Sequence, residues 1–272
     1  METRTLESIA DALLAACDGA QTLPLITAAH ADFDVPAAYE VLRLIAARRI
    51  AQNWQPVGRK IGFTNRTLWP RYGVYQPMWA PVWSRTLHRA PAGHATLSLT
   101  GLVQPRIEPE VVFKLNGPVR ADADARGILE SVEWVAAGFE IVQSHFPEWK
   151  FSAADCTAAF GLHGALVVGA PTALDAAARD RLAEMLPEFE LTLRRGDAVV
   201  DRGSGANVLG SPALALAHLA NVLAIQPQFP PLAAGEIVTT GTVTDAWPVR
   251  AGESWRSDYG ALDIPGITLR FT

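Results

Sequence analysis

A chain of 272 residues can bury one sizeable core, or a core with a smaller helical lobe. Its formal net charge of −5, and a longest basic cluster of only Arg48-Arg49, exclude the basic surface that nucleic-acid phosphates require. No apolar run approaches the roughly 20 residues of a spanning helix, and the two cysteines, Cys17 and Cys156, sit outside any CxxC spacing. A soluble cytoplasmic protein with no membrane partner is therefore expected.

Leu6, Ile9, Leu13 and Leu14 recur at helical spacing and predict a helix over residues 4–17. A second helix is expected from Pro36, acceptable in a first turn, to Gln52, with Val41, Leu44, Ile45 and Ala47 facing inward. Leu23 to Ile26 reads as a short docking segment between them. Residues 1–55 are thus expected to form a helical N-terminal lobe, and residues 56–272 a catalytic β domain. From Gly58 onward, short apolar runs alternate with glycine and proline. Strands are expected at 96–102, 111–115, 139–142, 165–168, 189–193, 198–201, 237–240 and 267–271. Helices interrupt them near 123–136, 175–186 and 211–224, the last opened by Ser211 as N-cap and Pro212 behind it. Strands outnumber long helices and their spacing is too irregular for a βαβ series. The expected class is α+β with a mixed, mostly antiparallel β core.

Arg106-Ile107-Glu108-Pro109-Glu110-Val111-Val112-Phe113-Lys114-Leu115 is the most informative segment. Extended, it puts Glu108, Glu110 and Val112 on one face and Val111, Phe113 and Leu115 on the other. Pro109 removes one ladder hydrogen bond, so an edge, a bulge or a strand start is expected there. A Glu-x-Glu pair at a strand end is more often a solvated face than a site. Glu140 shifts that balance: it is a lone acid in the apolar run Phe139-Glu140-Ile141-Val142, where an unpaired carboxylate is costly. Three carboxylates from two strands make an all-oxygen set, which suits Mg²⁺ or Mn²⁺ better than zinc.

The chain resembles the hydratase and decarboxylase branch of the fumarylacetoacetate hydrolase superfamily, which includes 2-keto-4-pentenoate hydratases and 4-oxalocrotonate decarboxylases. The resemblance rests on residues 58–64 (GRKIGFT), the Glu108/Glu110 pair, residues 138–142 (GFEIV), 203–210 (GSGANVLG) and 235–242 (GEIVTTGT), in the family's order. It implies a β-roll core, a homo-oligomer, Glu108, Glu110 and Glu140 as metal ligands, and Lys60 as the family's lysine. It also implies a small-molecule 2-oxo acid as substrate. Two departures stand out. Met78 follows Gln76-Pro77 where the hydratases carry an acid–base aspartate. Residues 155–160 read Asp-Cys-Thr-Ala-Ala-Phe, keeping the first acid of the hydratase segment and losing its later Asp and Asn.

Lys60, between Gly58 and Gly62, is a candidate for proton transfer or for holding the substrate carboxylate, with an ammonium pKa expected to fall near a metal. Lys150 and Asp155 are candidates for the missing acid or base, and either could equally be a salt-bridge partner. His163, lying where the hydratases carry a small residue, and His145 are candidates for water activation, although a lone histidine is more often structural. Thr242 resembles a family hydroxyl near the substrate carboxylate. The glycine-bounded stretch 203–210, with Leu209, reads as a tight strand connection that could touch substrate. Trp69, Trp79 and Trp83 could wall a substrate tail or fill core. The expected activity is a metal-dependent lyase of the 2-keto-4-pentenoate hydratase type in aromatic catabolism. The alternatives are a 2-oxo-diacid decarboxylase, a carbon–carbon hydrolase, or a non-catalytic metal-binding paralogue.

Overall fold

The computed structural model describes residues 1–272. Three helices lead the chain: α1 (Thr3–Asp18), α2 (Ile26–Ala29) and α3 (Val35–Ala51). Next come β1 (Pro56–Gly62), α4 (Trp69–Tyr72), β2 (Met78–Trp83), β3 (Leu87–Arg89), β4 (His94–Leu97), β5 (Arg106–Leu115), α5 (Ala125–Leu129) and β6 (Val132–Val142). The second half holds α6 (Ala153–Ala158), β7 (His163–Val168), β8 (Thr172–Ala173), α7 (Ala176–Met185), β9 (Glu190–Arg195), β10 (Ala198–Ser204) and α8 (Pro212–Ala224). β11 (Ile237–Thr242), β12 (Trp247–Pro248), β13 (Ser254–Asp258) and β14 (Thr268–Phe271) close the chain. No helix is long and apolar enough to cross a membrane.

The strands form two sheets. One runs β2-β1-β11-β5-β6-β7-β3, with β12 added to β5 and β8 to β6; the other runs β10-β9-β13-β14-β4. Only β1 with β11, β3 with β7 and β4 with β14 pair in parallel. The architecture is therefore α+β with a mixed, mostly antiparallel core. Ile107, Val111 and Phe113 of β5 share one buried cluster with Leu191 and Leu193 of β9, Trp255 of β13 and Phe271 of β14, so the two sheets bury one face of each against the other. The opposite face of β5 carries Glu108 and Glu110, as the two-residue period of a strand requires.

The N-terminal helices dock on the β core through a second cluster, in which Leu13, Val41 and Ile45 meet Val142, Phe146 and Phe160. α3 starts where its sequence says: the Asp34 side chain accepts from the Ala37 amide, with proline in the first turn. Ser211 caps α8 in the same way.

Several expectations are corrected. The helix expected over 123–136 ends at Leu129, and from Val132 the chain runs extended for 11 residues. All of the run except Glu133 is buried, on whichever face a residue lies, and such a strand carries no alternation to distinguish it from a buried helix. β4 spans His94–Leu97, not 96–102. Pro109 lies inside β5, with β6 on one flank. On the other flank β11 is bulged between Thr239 and Thr242, and the Pro109 carbonyl accepts from the Val243 amide. The bulge sits where a ladder donor is missing.

Trp79 is core, not substrate wall. It stacks on Tyr39 at 5.6 Å, meets Phe229 edge-on at 4.7 Å and donates from Nε1 to Gln226, joining β2 to α3 and to the chain after α8. Trp79→Ala should cost about 3–5 kcal/mol of unfolding free energy, read as a lower urea midpoint at unchanged slope.

Candidate metal centre

The register of the central strands brings the three acids together. Glu108 of β5 stands directly opposite Glu140 of β6, and Glu110 lies opposite Gly138. Gly138 is needed for this close pairing, since a Cβ there would come within 2.4 Å of the Val112 side chain. Oxygen atoms of Glu108, Glu110 and Glu140 lie within 4.8 Å of one another. Glu110 and Glu140 are fully buried, and Glu108 is half-buried toward a cavity. Like charges directly opposed on one sheet face repel, and burial raises the cost.

Lys60 of β1 enters the same cluster. Its ammonium lies 3.1 Å from Glu140 Oε2 and donates to the Gly161 carbonyl at 3.0 Å. Two glycines leave room for it. A Cβ on Gly62 would sit 3.1 Å from Lys60 Nζ, and Gly161, at φ +57°, would press a Cβ against Ala80 and the lysine stem.

The protein holds one oxygen of each buried glutamate with hydrogen-bond donors; the other oxygen of Glu110 is bare, and that of Glu140 faces only Lys60. Glu110 Oε2 accepts from the Gly241 amide at 2.6 Å and from the Thr239 hydroxyl. Gly241, at φ +101°, admits no side chain, because a Cβ would collide with Thr64. Glu140 Oε1 accepts from His163 Nδ1 at 2.8 Å. Glu110 Oε1 is buried with no hydrogen-bond partner, and Glu140 Oε2 is buried with only the Lys60 ammonium beside it, at 3.1 Å. Two such oxygens beside a third carboxylate are what a hard divalent cation would satisfy. The residues present fit Mg²⁺ or Mn²⁺.

The electrostatics agree. Burial, then repulsion from Glu140 and Glu108, raises the Glu110 carboxyl well above its ordinary value. Glu108 is pushed up to about 7, chiefly by burial, against the pull of Lys60. At Glu140 burial is outweighed by Lys60 and His163, and the carboxyl is lowered. Burial of Lys60 is outweighed in turn by the three glutamates, so its ammonium is held more firmly than usual.

Beside Glu108 a cavity opens between Lys60 and Thr242 on its polar side and Phe63, Leu162 and Trp149 on its apolar side. The Thr242 hydroxyl closes a local turn onto the Thr244 carbonyl at 3.1 Å. Tyr72 also lines the cavity, and its hydroxyl accepts from Arg106 at 2.7 Å, while the guanidinium lies 4.1 Å from the Trp149 ring centre. Tyr72, Trp149 and Arg106 are the residues that sequence reasoning missed. Arg106 was within reach of it, lying two residues before Glu108 and so on the same strand face.

Five candidates lie elsewhere or act differently. Lys150 is exposed and paired with Glu148 at 2.6 Å. Asp155 is buried, but its carboxylate accepts from the Thr27 amide and hydroxyl and from the Ser152 amide, closing the capping box of α6 and tying α2 to it. That network leaves it no role as a free acid or base. Leu209 braces Thr64 through its own amide at 3.1 Å and does not line the cavity. His163 has both ring nitrogens engaged, Nδ1 with Glu140 and Nε2 with Thr86 Oγ1 at 2.9 Å, and lies outside the cavity wall, so it is not placed to activate water. His145 lies off the cavity wall, its Nδ1 2.9 Å from the Gln21 carbonyl and its Nε2 buried without a partner. Met78 is buried with its sulfur 3.5 Å from both Cys156 Sγ and Thr157 Oγ1.

A carboxyl raised to about 7 binds protons that the unfolded chain, with an ordinary value of 4.5, gives up earlier. Glu108 therefore stabilises the cation-free fold below about pH 4.5, and this contribution is lost as pH rises through about 7. Below pH 7, uptake of Mg²⁺ should release protons, and its affinity should weaken as pH falls. Titration calorimetry in buffers of different ionisation enthalpy checks this; proton release near zero at pH 6 would contradict it.

Comparison with known proteins places the chain. The profile "Fumarylacetoacetate (FAA) hydrolase C-terminal" matches residues 77–263. A 2-hydroxyhexa-2,4-dienoate hydratase of Comamonas testosteroni is 29% identical over 272 residues, covering 98% of this chain and 97% of that protein. A 4-oxalocrotonate decarboxylase of Pseudomonas sp is 30% identical over 228 residues, covering 84% of each. The fold superposes on 4-oxalocrotonate decarboxylase from Pseudomonas putida G7, complexed with magnesium and adipate, with a TM-score of 0.88 at 22% identity, covering 100% of this chain and 99% of that one. The chain belongs to the fumarylacetoacetate hydrolase family.

Proposed function

We propose that the protein is a divalent-cation-dependent lyase acting on a small 2-oxo acid, of the 2-keto-4-pentenoate hydratase type and in the breakdown of aromatic compounds. The observation that carries this reading is the cluster of three glutamates, in which Glu110 Oε1 is buried without a partner and Glu140 Oε2 has only Lys60, beside a half-apolar cavity. Glu108, Glu110 and Glu140 would hold the ion, which would supply Lewis-acid polarisation of the substrate's 2-oxo group. Relatives named as hydratases and decarboxylases of such acids support it.

Lys60 is the proton carrier of the cavity. Its Nζ lies on the wall beside Glu108, and its stem is confined between Gly62 and Gly161, so a proton leaves or arrives at a fixed point. Phe63, Leu162 and Trp149 exclude water from the hydrocarbon part of a substrate. Thr242 offers a hydroxyl on the polar side.

One observation favours a second reading, decarboxylation of a 2-oxo diacid. Besides Glu108, the titratable side chains on the cavity wall are Lys60 and Tyr72, because Met78 is buried among sulfur and hydroxyl contacts and Asp155 is bound to Thr27 and Ser152. Loss of CO₂ needs an electron sink and one returning proton. Hydration also needs a group to deliver water. A homo-oligomeric, cytoplasmic protein is part of this proposal; the resemblance supports the first, and two free cysteines accord with a reducing compartment.

The test is a panel of 2-oxo monoacids and diacids, followed by ultraviolet loss and by CO₂ release, with and without Mg²⁺. Cation-dependent turnover of unsaturated monoacids without CO₂ supports the hydratase; CO₂ from diacids supports the second reading; no turnover of either sinks both. Glu110→Gln should lower kcat by at least about 100-fold, since it removes an ionic ligand from a buried site, and Mg²⁺ affinity should fall with it. Calorimetry with Mg²⁺ and oxalate reads that loss directly, and unchanged binding refutes the ligand assignment.

A further inference from the structure

His163 is absorbed by none of the chemistry above, yet it is buried against a ligand. Its place follows from one irregularity in the sheet. β6 and β7 pair Glu140 with Leu166 and Ile141 with Ala165, but Val142 then pairs with His163, so Gly164 is an extra residue. A one-residue slip moves a side chain to the other face. The bulge thereby puts His163 on the face of Val142 and Glu140. Glycine is required at the bulge, because a Cβ would come within 2.7 Å of the Ile141 carbonyl.

The ring is then fixed at both ends. Nδ1, which must carry its proton to face a carboxylate, donates to Glu140 Oε1 at 2.8 Å, and Nε2 lies 2.9 Å from Thr86 Oγ1 in the turn between β2 and β3. Side-chain exposure is 2% for His163 and 0% for Glu140, so water does not compete. Oε1 is withheld, and Oε2 alone is presented to the cluster, with the Lys60 ammonium 3.1 Å from it. Backbone and hydroxyl groups of β11 do the same for Glu110.

We propose that His163 is a positioning residue that holds Glu140 as a one-oxygen ligand and so biases the site toward a small octahedral cation over Ca²⁺. This rests on the metal-centre reading. Mg²⁺ demands near-ideal octahedral geometry, whereas Ca²⁺ takes six to eight oxygens and accepts a carboxylate through both. With the imidazole gone, Oε1 is free to join Oε2 on a larger ion.

The test is calorimetric titration of Mg²⁺ and, separately, Ca²⁺ into the cation-free protein. Wild type should bind Mg²⁺; binding of neither ion would overturn the metal-centre reading itself. His163→Ala should lose about 10- to 100-fold in Mg²⁺ affinity and much less for Ca²⁺, moving the ratio toward Ca²⁺ by about tenfold or more. His163→Asn, whose amide nitrogen reaches nearly where Nδ1 lies, should restore most of the wild-type ratio. Equal losses for both ions, or an asparagine variant no better than alanine, would overturn the proposal, because a merely structural histidine predicts both. Should the alanine variant fail to fold, Thr86→Val frees only the far end of the ring, and a smaller shift of the same sign is expected. An unchanged ratio there would overturn it as well.

Discussion

The opposition of Glu108 and Glu140 across β5 and β6, with Glu110 two residues further on, is the constraint around which this molecule is organised. Three carboxylates on one largely buried patch of sheet repel each other and resist ionisation. A fold that keeps them there must supply compensation from every side. β1 brings Lys60, β11 brings the Gly241 amide and the Thr239 hydroxyl, and β7 brings His163. The supports come from parts of the chain remote in sequence from the acids. The nine-stranded sheet thus frames the site as well as forming one wall of the core.

Much of that was legible in the residues. The two-residue period of a strand put both β5 glutamates on one face, and the isolation of Glu140 among apolar neighbours marked it as an acid needing a partner. Lys60 stood out for the glycines on either side; Gly62 leaves room for its ammonium, whereas Gly58 lies against the Ile237 backbone. What was not legible was register. No local pattern in residues 132–142 separates a strand buried on both faces from a buried helix, so β6 was misread at its start while its Glu140 end was not. The same blindness hid the bulge at Gly164, and with it the direction in which His163 points.

Chemistry-bearing residue types misled where their partners follow no sequence pattern. Asp155 looked like a free acid because Thr27 is 128 positions away, and Lys150 looked available because its ion pair with Glu148 follows no motif. Tyr72 and Trp149 were passed over for the opposite reason: aromatic residues are common in cores, and only folding shows these two on a cavity wall beside Arg106. Met78 was recognisable as a departure from the hydratases. Its burial against Cys156 and Thr157 gives that departure a physical form, a packed thioether off the cavity wall.

The parallel pairing of β1 with β11 sets an order of assembly. Thr64, just past β1, meets the Thr240 carbonyl across 176 positions of chain, and Glu110 is tied to Gly241 across 131. Closing loops of that size costs entropy before any contact rewards it, and such pairings come late in folding. Neighbouring strands such as β5 and β6 can meet early, bringing Glu108 and Glu140 face to face before Lys60 or the Gly241 amide arrives. For that interval the growing sheet carries its acids without their supports. On this ordering the candidate metal centre gains its supports only after its acids have met.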